Sequence, residues 1–561
     1  MKSKILLISV IVLAFLLRVI GLSNYPSGFT QDEAAIGYEA YSILSTGKDS
    51  WGQQLPLMLR SFGDFKLPLY SYLAIPFVAV FGLNVFSVRL VSAIFGTLAV
   101  FSTYLLTREL SKRKSIALWA ALLMAISPWS VSLSRGAFEA NLTTFILPFA
   151  TWLYLKGINN SKYYYLSFLL FGFNLFSYHS ARIFTIMFVP IILYLTIRTH
   201  LIGNKSKYNL RKIIAPSLTF AVFFLIALQT MFYGGSKRGL DVSIFNPTDK
   251  WSYVSERRYE AVLSGVPDSL ARIFSNKMVY IFSKSFKSYL SYLSPNFLFT
   301  DGAGEWTYGM ISGRGVLYTI EAVSVVAALI YLIKGHEKYK YLRFILIWIL
   351  LSPIAVSISK NVGYAANRVT VMMPAIQILS TSGFVIIAEL AKSYFKVISS
   401  KAYQFLILGV IALSFIFFVE DYFIHAPYKQ GRDMHYGVSQ VMQFVMDQGN
   451  DYDKIYISRS LSVPNIWVEF FHKVNPVTVQ QESANWLEYE RQDKLYLDQL
   501  ESYSLGKYIF TSIDIEKIRT QKELSLIIAK PEDFHKTPFA LLTVYYRNSD
   551  VAYYVVDSQS L

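Results

Sequence analysis

The sequence predicts a mainly α-helical, polytopic membrane protein, with a small α/β domain outside the membrane at its C-terminal end. Three observations predict it. The 561 residues are 53% hydrophobic and only 16% charged, against about 25% charged in a typical soluble domain, and the mean hydropathy is +0.38. The apolar residues gather into runs near the ~20-residue length that spans a bilayer. Beyond residue 420 that pattern gives way to short strand-like runs.

The first run, residues 5–22, follows Lys2 and Lys4. It lacks the small-residue cleavage site of a signal peptide, so it reads as an uncleaved first helix with a cytoplasmic N-terminus. Further runs occupy 85–107, 116–134, 139–157, 163–179, 182–198, 213–232, 314–333, 343–359, 369–391 and 403–420. Together they make about eleven transmembrane helices. Four basic connections fall on the side of the N-terminus, as the positive-inside rule requires. They hold Arg108, Lys112, Arg113 and Lys114; Arg198, Lys205, Lys207, Arg211 and Lys212; Lys334, Lys338, Lys340 and Arg343; and Lys392, Lys396 and Lys401. An odd helix count leaves the C-terminus outside. The net charge of +16 belongs to this topology, and no nucleic-acid partner is expected. With no cysteine, disulfides, thiolate catalysis and cysteine metal sites are excluded.

Three outer segments exceed simple connectors. The first spans 23–84, and its PLYSYLAIPFVAVFG reads as a helix in the outer interface, because a full crossing would invert every later loop. The second spans 233–313. The third is the tail, where VSQVMQFVMDQ looks helical and KIYIS, KYIFTSI, FALLTVYY and VAYYVV read as buried strands. The organisation is thus a membrane domain over 1–420 and an extracytoplasmic α/β domain over 421–561, without internal repeats.

The first outer segment holds GFTQDEAAIGYEAYSIL, residues 28–44. Thr30-Gln31-Asp32-Glu33 fits a capping box, with Thr30 as N-cap and Glu33 reaching back from the third helical position. Acids in a first turn also suit the helix dipole. Capping accounts for Glu33 and leaves Asp32 without a role, just outside the membrane where lipid head groups lie.

FTQDEAAIGYEAYSIL, DFKLPLYSYL, RLVSAIFGTLAVFSTYLLTREL, SPWSVSLSRGAFEANLTTFILPF, SYHSARIFTIMFVP, SPNFLFTDGAGEWTYGMISGRGVLY and NRVTVMMPA occur in this order. The set resembles the GT-C glycosyltransferases, nearest the protein O-mannosyltransferase-like group that includes the lipid A aminoarabinose transferases. The resemblance covers roughly residues 1–420. It implies the GT-C fold and an inverting transferase of the cell membrane. The donor would be a polyprenyl-phosphate monosaccharide, and the acceptor a hydroxyl of a protein, lipid or glycan on the extracytoplasmic face.

The resemblance assigns the first acid, here Asp32, as the general base that accepts the acceptor's proton, help worth about 10²–10⁴ in rate. Glu33 supports it. Lys66 in DFKLP matches the lysine of a KPPL-like family motif, with Leu67 in place of the first proline. The leaving lipid phosphate needs cations at the outer surface, and Lys66, Arg135, Arg182 and Arg368 are the candidates. Glu139 stands where the family commonly has a second acid. It would share a helical face with Arg135 if that helix continues, either as a substrate ligand or as a plain ion pair. Arg368 opens a helix from the outside, where arginine opposes the dipole; a nearby anion or snorkelling to lipid would rationalise it. Arg314 has the same two readings. Tyr178, His179, Trp306 and Tyr308 are candidate substrate contacts; for His179 the alternative is a structural hydrogen bond. Some family members hold a divalent ion near the first loop. Here Phe65 occupies the position of a potential acidic ligand, and no obligatory metal or other cofactor is expected.

Two other classes compete. A transporter or flippase would place charges at mid-bilayer on broken helices, often in repeated halves, whereas these charges cluster at one face. A non-catalytic glycan-assembly scaffold would keep the fold without the chemistry; Asp32 and the cations argue against it.

Overall fold

A computed structural model describes residues 2–202, 211–233, 243–245, 251–360, 364–394, 400–520 and 523–560. Lys205, Lys207 and Lys396, assigned above to basic connections, lie outside the described residues, as does part of 233–313.

The chain opens with α1 (Lys2–Val19), α2 (Gln31–Thr46), a hairpin of β1 (Leu59–Ser61) and β2 (Asp64–Lys66), α3 (Leu69–Phe81) and α4 (Val85–Ser111). Then come α5 (Lys114–Ile126), α6 (Pro128–Leu133), α7 (Thr143–Gly157), α8 (Lys162–Asn174), α9 (His179–Ile202) and α10 (Arg211–Tyr233). Helices Glu321–Ile333, Tyr341–Leu351, Ala375–Tyr394 and Ser400–Glu420 complete the apolar set. Among the described residues, five helices are long and apolar enough to cross a membrane: Val85–Ser111, His179–Thr196, Lys212–Phe232, Ala375–Ser393 and Ala402–Gln430.

Prolines explain two departures from the apolar runs. The run 116–134 breaks at Ser127, and Pro128 opens a new short helix, the position where a missing N–H costs nothing. The run 369–391 begins as a 3₁₀ turn, Ala366–Met372. Met373 before Pro374 is extended, as a residue preceding proline prefers, and the α-helix starts at Ala375. The run 314–333 becomes helical only from Glu321.

Three arginines with 0% exposure gather the end of α1. Arg18 donates to the carbonyls of Ala14 and Ala125, both at 3.0 Å, and to Ser130 Oγ at 2.7 Å. Arg135 donates to the carbonyls of Leu17 and Ile20 at 2.6 and 2.8 Å. Arg89, on α4, donates to the carbonyls of Leu22, Pro26 and Gly28 at 3.1, 3.1 and 2.6 Å. The last carbonyls of a helix lack partners within it, and cations suit that end of the dipole. Arg89 also meets Glu33 at 2.8 Å with both side chains fully buried.

The tail folds into a six-stranded mixed sheet of order β4-β5-β3-β6-β8-β7. Its strands are β3 (Lys454–Ser458), β4 (Ser502–Leu505), β5 (Tyr508–Thr511), β6 (Ser525–Ala529), β7 (Leu542–Tyr545) and β8 (Val551–Asp557). β3 runs parallel to β5 and β6; the other pairings are antiparallel. β3, β5, β7 and β8 coincide with the four apolar runs of the sequence, and helix Val438–Gln448 with the fifth segment; β4 and β6 escaped that reading. One face of the sheet shares a core with α2, α3 and α4: Ile36 and Tyr38 of α2, Tyr70 of α3 and Val88 of α4 cluster with Ile455 and Ile457 of β3 and with Val441, Trp467 and Phe470 of the tail's helices.

Two glycines allow the closest approaches. Gly28 has φ +104°, and a Cβ there would stand 2.1 Å from the Met434 carbonyl. The Phe29 N–H donates to that same carbonyl at 2.6 Å. Gly63, at the hairpin tip with φ +101°, would place a Cβ 2.4 Å from the Leu495 carbonyl. Beside it the Leu497 N–H donates to the Phe62 carbonyl at 3.0 Å.

Two acids are buried where α2 meets the tail. Glu39 accepts from the Ser50 N–H at 3.0 Å and its Oγ at 2.5 Å. Glu469, on helix Asn465–Phe471, accepts from Asn465 Nδ2 at 2.8 Å. Burial, reinforced by Asp49, pushes Glu39 up to about 8, and burial pushes Glu469 up to about 8.

Two outcomes are expected. Between about 4.5 and about 8 the folded chain holds protons on Glu39 and Glu469 that the unfolded chain has released. Stability therefore falls as pH rises through that window. In detergent the melting temperature should drop from pH 6 to pH 9, and the Glu39→Gln/Glu469→Gln variant should flatten the drop; an unchanged slope would mean that other groups carry it. Secondly, Glu33→Ala or Arg89→Leu alone should cost about 3–5 kcal/mol, since each leaves a buried charge without its partner. Replacing both with methionine should be milder than either, as read by thermal melting.

Candidate active site

Successive residues on a helix turn by about 100°, so the first turn of α2 points its two acids apart. The capping box is formed: the Glu33 N–H donates to Thr30 Oγ1 at 3.2 Å, and Glu33 Oε2 accepts from the Thr30 N–H at 3.0 Å. Glu33 Oε1 also accepts from the Ala137 N–H at 2.9 Å. Glu33 is thus spent on structure, while the Asp32 side chain stays 42% exposed.

Asp32 Oδ1 meets Lys66 Nζ at 2.5 Å. Lys66 ends β2, is itself 8% exposed in its side chain, and lies 5.2 Å from the Phe62 ring. The neighbouring strand residue, Phe65, gives its carbonyl to His179 Nε2 at 3.1 Å. A carbonyl only accepts, so Nε2 carries the proton in this contact. His179 opens α9 and pins the hairpin to it.

Tyr308 joins further groups to Asp32. Burial pushes its phenol up, and it feels the charges of Tyr178, Asp32, Glu305 and Arg368. Glu305 is in turn raised by burial and lowered by Arg368. Arg368 makes no side-chain hydrogen bond among the described residues. Its neighbour Asn367 donates to Tyr178 Oη at 3.1 Å, and Asn367 Oδ1 is buried with no partner. Arg182, 2% exposed, uses Nε on the Leu175 carbonyl at 2.8 Å and leaves Nη2 buried and unpartnered. A buried guanidinium nitrogen and a buried amide oxygen without partners are costly.

Arg135, Trp306 and Arg314 are placed elsewhere. Arg135 is fully buried with Nη1 and Nη2 committed to α1. α6 ends at Leu133 and Glu139 opens a separate 3₁₀ turn, Glu139–Leu142, so the shared helical face expected for Arg135 and Glu139 does not form. Trp306 and Arg314 line a cleft of about 620 Å³ with Asp421, His425 and Lys429. Arg314 is ion-paired there with Asp421.

Sequence reasoning passed over Arg89, Glu305, Asn367, His435 and Lys530. The last two come from the tail. His435 is lowered to about 4 by burial and by Lys530, with Asp32 opposing. His435 therefore shares the electrostatic surroundings of Asp32. For Arg89 a signal existed, since an ionisable residue in an apolar helix calls for a buried partner.

Among the described residues, the Asp32 carboxylate faces the Lys66 ammonium, a cation that competes with a metal ion for it. Among the described residues, one group has acids and a histidine close enough to hold a metal: Glu420, Asp421 and His425. Its Asp421 already serves Arg314.

Residues 66–229 match the family described as dolichyl-phosphate-mannose-protein mannosyltransferase. No curated protein matches the chain. Among solved structures, ArnT from Cupriavidus metallidurans bound to undecaprenyl phosphate is similar with a TM-score of 0.52 and 10% identity, over 98% of this chain and 97% of that one. The oligosaccharyltransferase AglB from Archaeoglobus fulgidus, in complex with an inhibitory peptide and a dolichol-phosphate, has a TM-score of 0.49 and 16% identity, over 84% of this chain. This chain spans 64% of the AglB chain. The Saccharomyces cerevisiae protein O-mannosyltransferase Pmt1-Pmt2 complex bound to the sugar donor has a TM-score of 0.33 and 20% identity, over 41% of this chain and 33% of that one. The end-to-end likeness to ArnT identifies the architecture: this chain has the GT-C fold of integral-membrane glycosyltransferases.

Proposed function

We propose that the chain transfers one sugar from a polyprenyl-phosphate donor to an acceptor hydroxyl on a protein, lipid or glycan at the extracytoplasmic membrane face, with inversion. The observation that carries this reading is the Asp32–Lys66 pair: an accessible carboxylate held 2.5 Å from a buried ammonium. The pair joins a base to a phosphate ligand. That the solved ArnT holds undecaprenyl phosphate supports a polyprenyl donor.

In this reading the acceptor oxygen attacks the anomeric carbon. Its proton passes to Asp32 as the new C–O bond forms. The bond between the anomeric carbon and the phosphate oxygen breaks, and the lipid phosphate leaves with the electron pair. A single in-line displacement inverts the configuration. Lys66, Arg368 and the free Nη2 of Arg182 would stabilise the departing phosphate, the kind of preorganised charge that contributes most to transition-state binding. Tyr178, Asn367 and Tyr308 would orient sugar hydroxyls.

A transfer assay in liposomes tests it, with a panel of radiolabelled polyprenyl-phosphate sugars and membrane extract as acceptor. Asp32→Asn should lower transfer by about 10²–10⁴ at unchanged melting temperature. Lys66→Gln and Arg368→Gln should weaken donor use. Full activity in Asp32→Asn would remove Asp32 as the base. Failure of the wild type to transfer or bind any donor of the panel would sink the reading.

A further inference from the structure

A further cavity lies between helices of the apolar bundle, away from Asp32. α5 and helices Ala375–Tyr394 and Ser400–Glu420 enclose a cavity of about 240 Å³. Trp119, Leu123, Phe384 and Ile407 form its apolar walls, and Thr381 lies at one end. Arg113 and Lys392 stand at the other, with Ser115 and Gln404 as neutral hydrogen-bonding groups. From Thr381 to Lys392 the helix advances about 16 Å at 1.5 Å per residue. Half of a ~30 Å hydrocarbon core is about 15 Å. The cavity therefore runs the depth of one leaflet, apolar along its length and cationic at its mouth.

The charge at the mouth is unbalanced. Among the described residues, Glu389 is the one acid lining it. Both its oxygens are already taken, by Arg113 at 3.0 Å and Lys338 at 2.6 Å. Arg113 also donates to Tyr339 Oη at 2.8 Å. Lys392 is exposed, and its side chain makes no hydrogen bond among the described residues. Three cations thus face one carboxylate, a net of about two positive charges, the pattern that attracts anionic head groups to basic pockets between membrane helices.

We propose that this cleft binds an anionic glycerophospholipid of the cytoplasmic leaflet, its phosphate at Arg113 and Lys392 and one acyl chain along Trp119 and Phe384. Its place in the cytoplasmic leaflet rests on the orientation read from the loop charges. A glycerophospholipid fits better than a polyprenyl phosphate because the lining extends only to Leu123 and Thr381, about one leaflet from the mouth. The bound lipid would tie Ser400–Glu420, a largely exposed helix, to the bundle.

Native mass spectrometry of the full chain in detergent tests this. The chain is titrated with phosphatidylglycerol, phosphatidylcholine, undecaprenyl phosphate and inorganic phosphate. Phosphatidylglycerol should bind about tenfold tighter than phosphatidylcholine, and Lys392→Glu should remove that preference. Ala388→Trp, which fills the cavity, should abolish binding of both; if it fails to fold, Lys392→Glu and the lipid series decide alone. Equal binding of the two phospholipids, or an unchanged preference in Lys392→Glu, would make the cleft ordinary lipid contact. Tighter binding of undecaprenyl phosphate, or displacement of phosphatidylglycerol by millimolar inorganic phosphate, would also overturn the assignment.

Discussion

The Glu33 carboxylate is buried completely and takes five hydrogen bonds: two from Arg89, two from Thr30 and one from the Ala137 amide. A charge taken this far out of water is tolerated only when its lone pairs are met. Those contacts therefore fix more than one side chain. Thr30 sets the first turn of α2. Arg89 draws α4 onto the carbonyls of Leu22, Pro26 and Gly28. Ala137 brings in the irregular stretch between α6 and α7. Three remote segments must be in register before the acid can be buried. Asp32 inherits its position from that closure, because the start of α2 cannot rotate without unpairing Glu33.

The partner of Asp32 is positioned by a different part of the chain. The Phe29 amide is bonded to Met434, and the Phe62 carbonyl to Leu497. One contact lies three residues before Asp32, the other four before Lys66. Each passes beside a glycine whose Cβ would collide with tail backbone. The tail domain thus sets the spacing of a carboxylate and an ammonium that it does not contain. It is a mould for the site as much as an appendage, and the shared core of α2, α3, α4 and helix Asn465–Phe471 makes that mould stiff.

Legibility followed range. The apolar runs announced their helices because length and hydropathy act locally, and the capping box was legible because it closes within three residues. Lys66 was legible through the family resemblance; nothing in DFKLP itself points to an acid 34 positions away. Arg89 pairs with a residue 56 positions distant, and Glu305 and Asn367 sit in a loop and a 3₁₀ turn where no period exists. β6 was missed for another reason. All five of its residues are buried, so the alternation that marks a half-exposed strand is absent. The expected Arg135–Glu139 face failed because residues 134–138 leave the helix, a break that apolar content alone does not signal.

The order of the two acids follows from their reach. Consecutive helix positions diverge by about 100°, so the pair must split into an inward and an outward carboxylate. The inward one has to span back to the Thr30 amide while meeting Arg89 and Ala137, and glutamate's extra methylene supplies that length. An aspartate there would be too short to serve all three at once. The outward one has the opposite need. Its oxygens must stay near the helix start, where Lys66 arrives from a hairpin fixed independently, and a short side chain holds them there with less rotamer freedom to lose. Two adjacent residues of one charge are thereby committed to different tasks: one closes the fold, and the other is left partly exposed beside a cation.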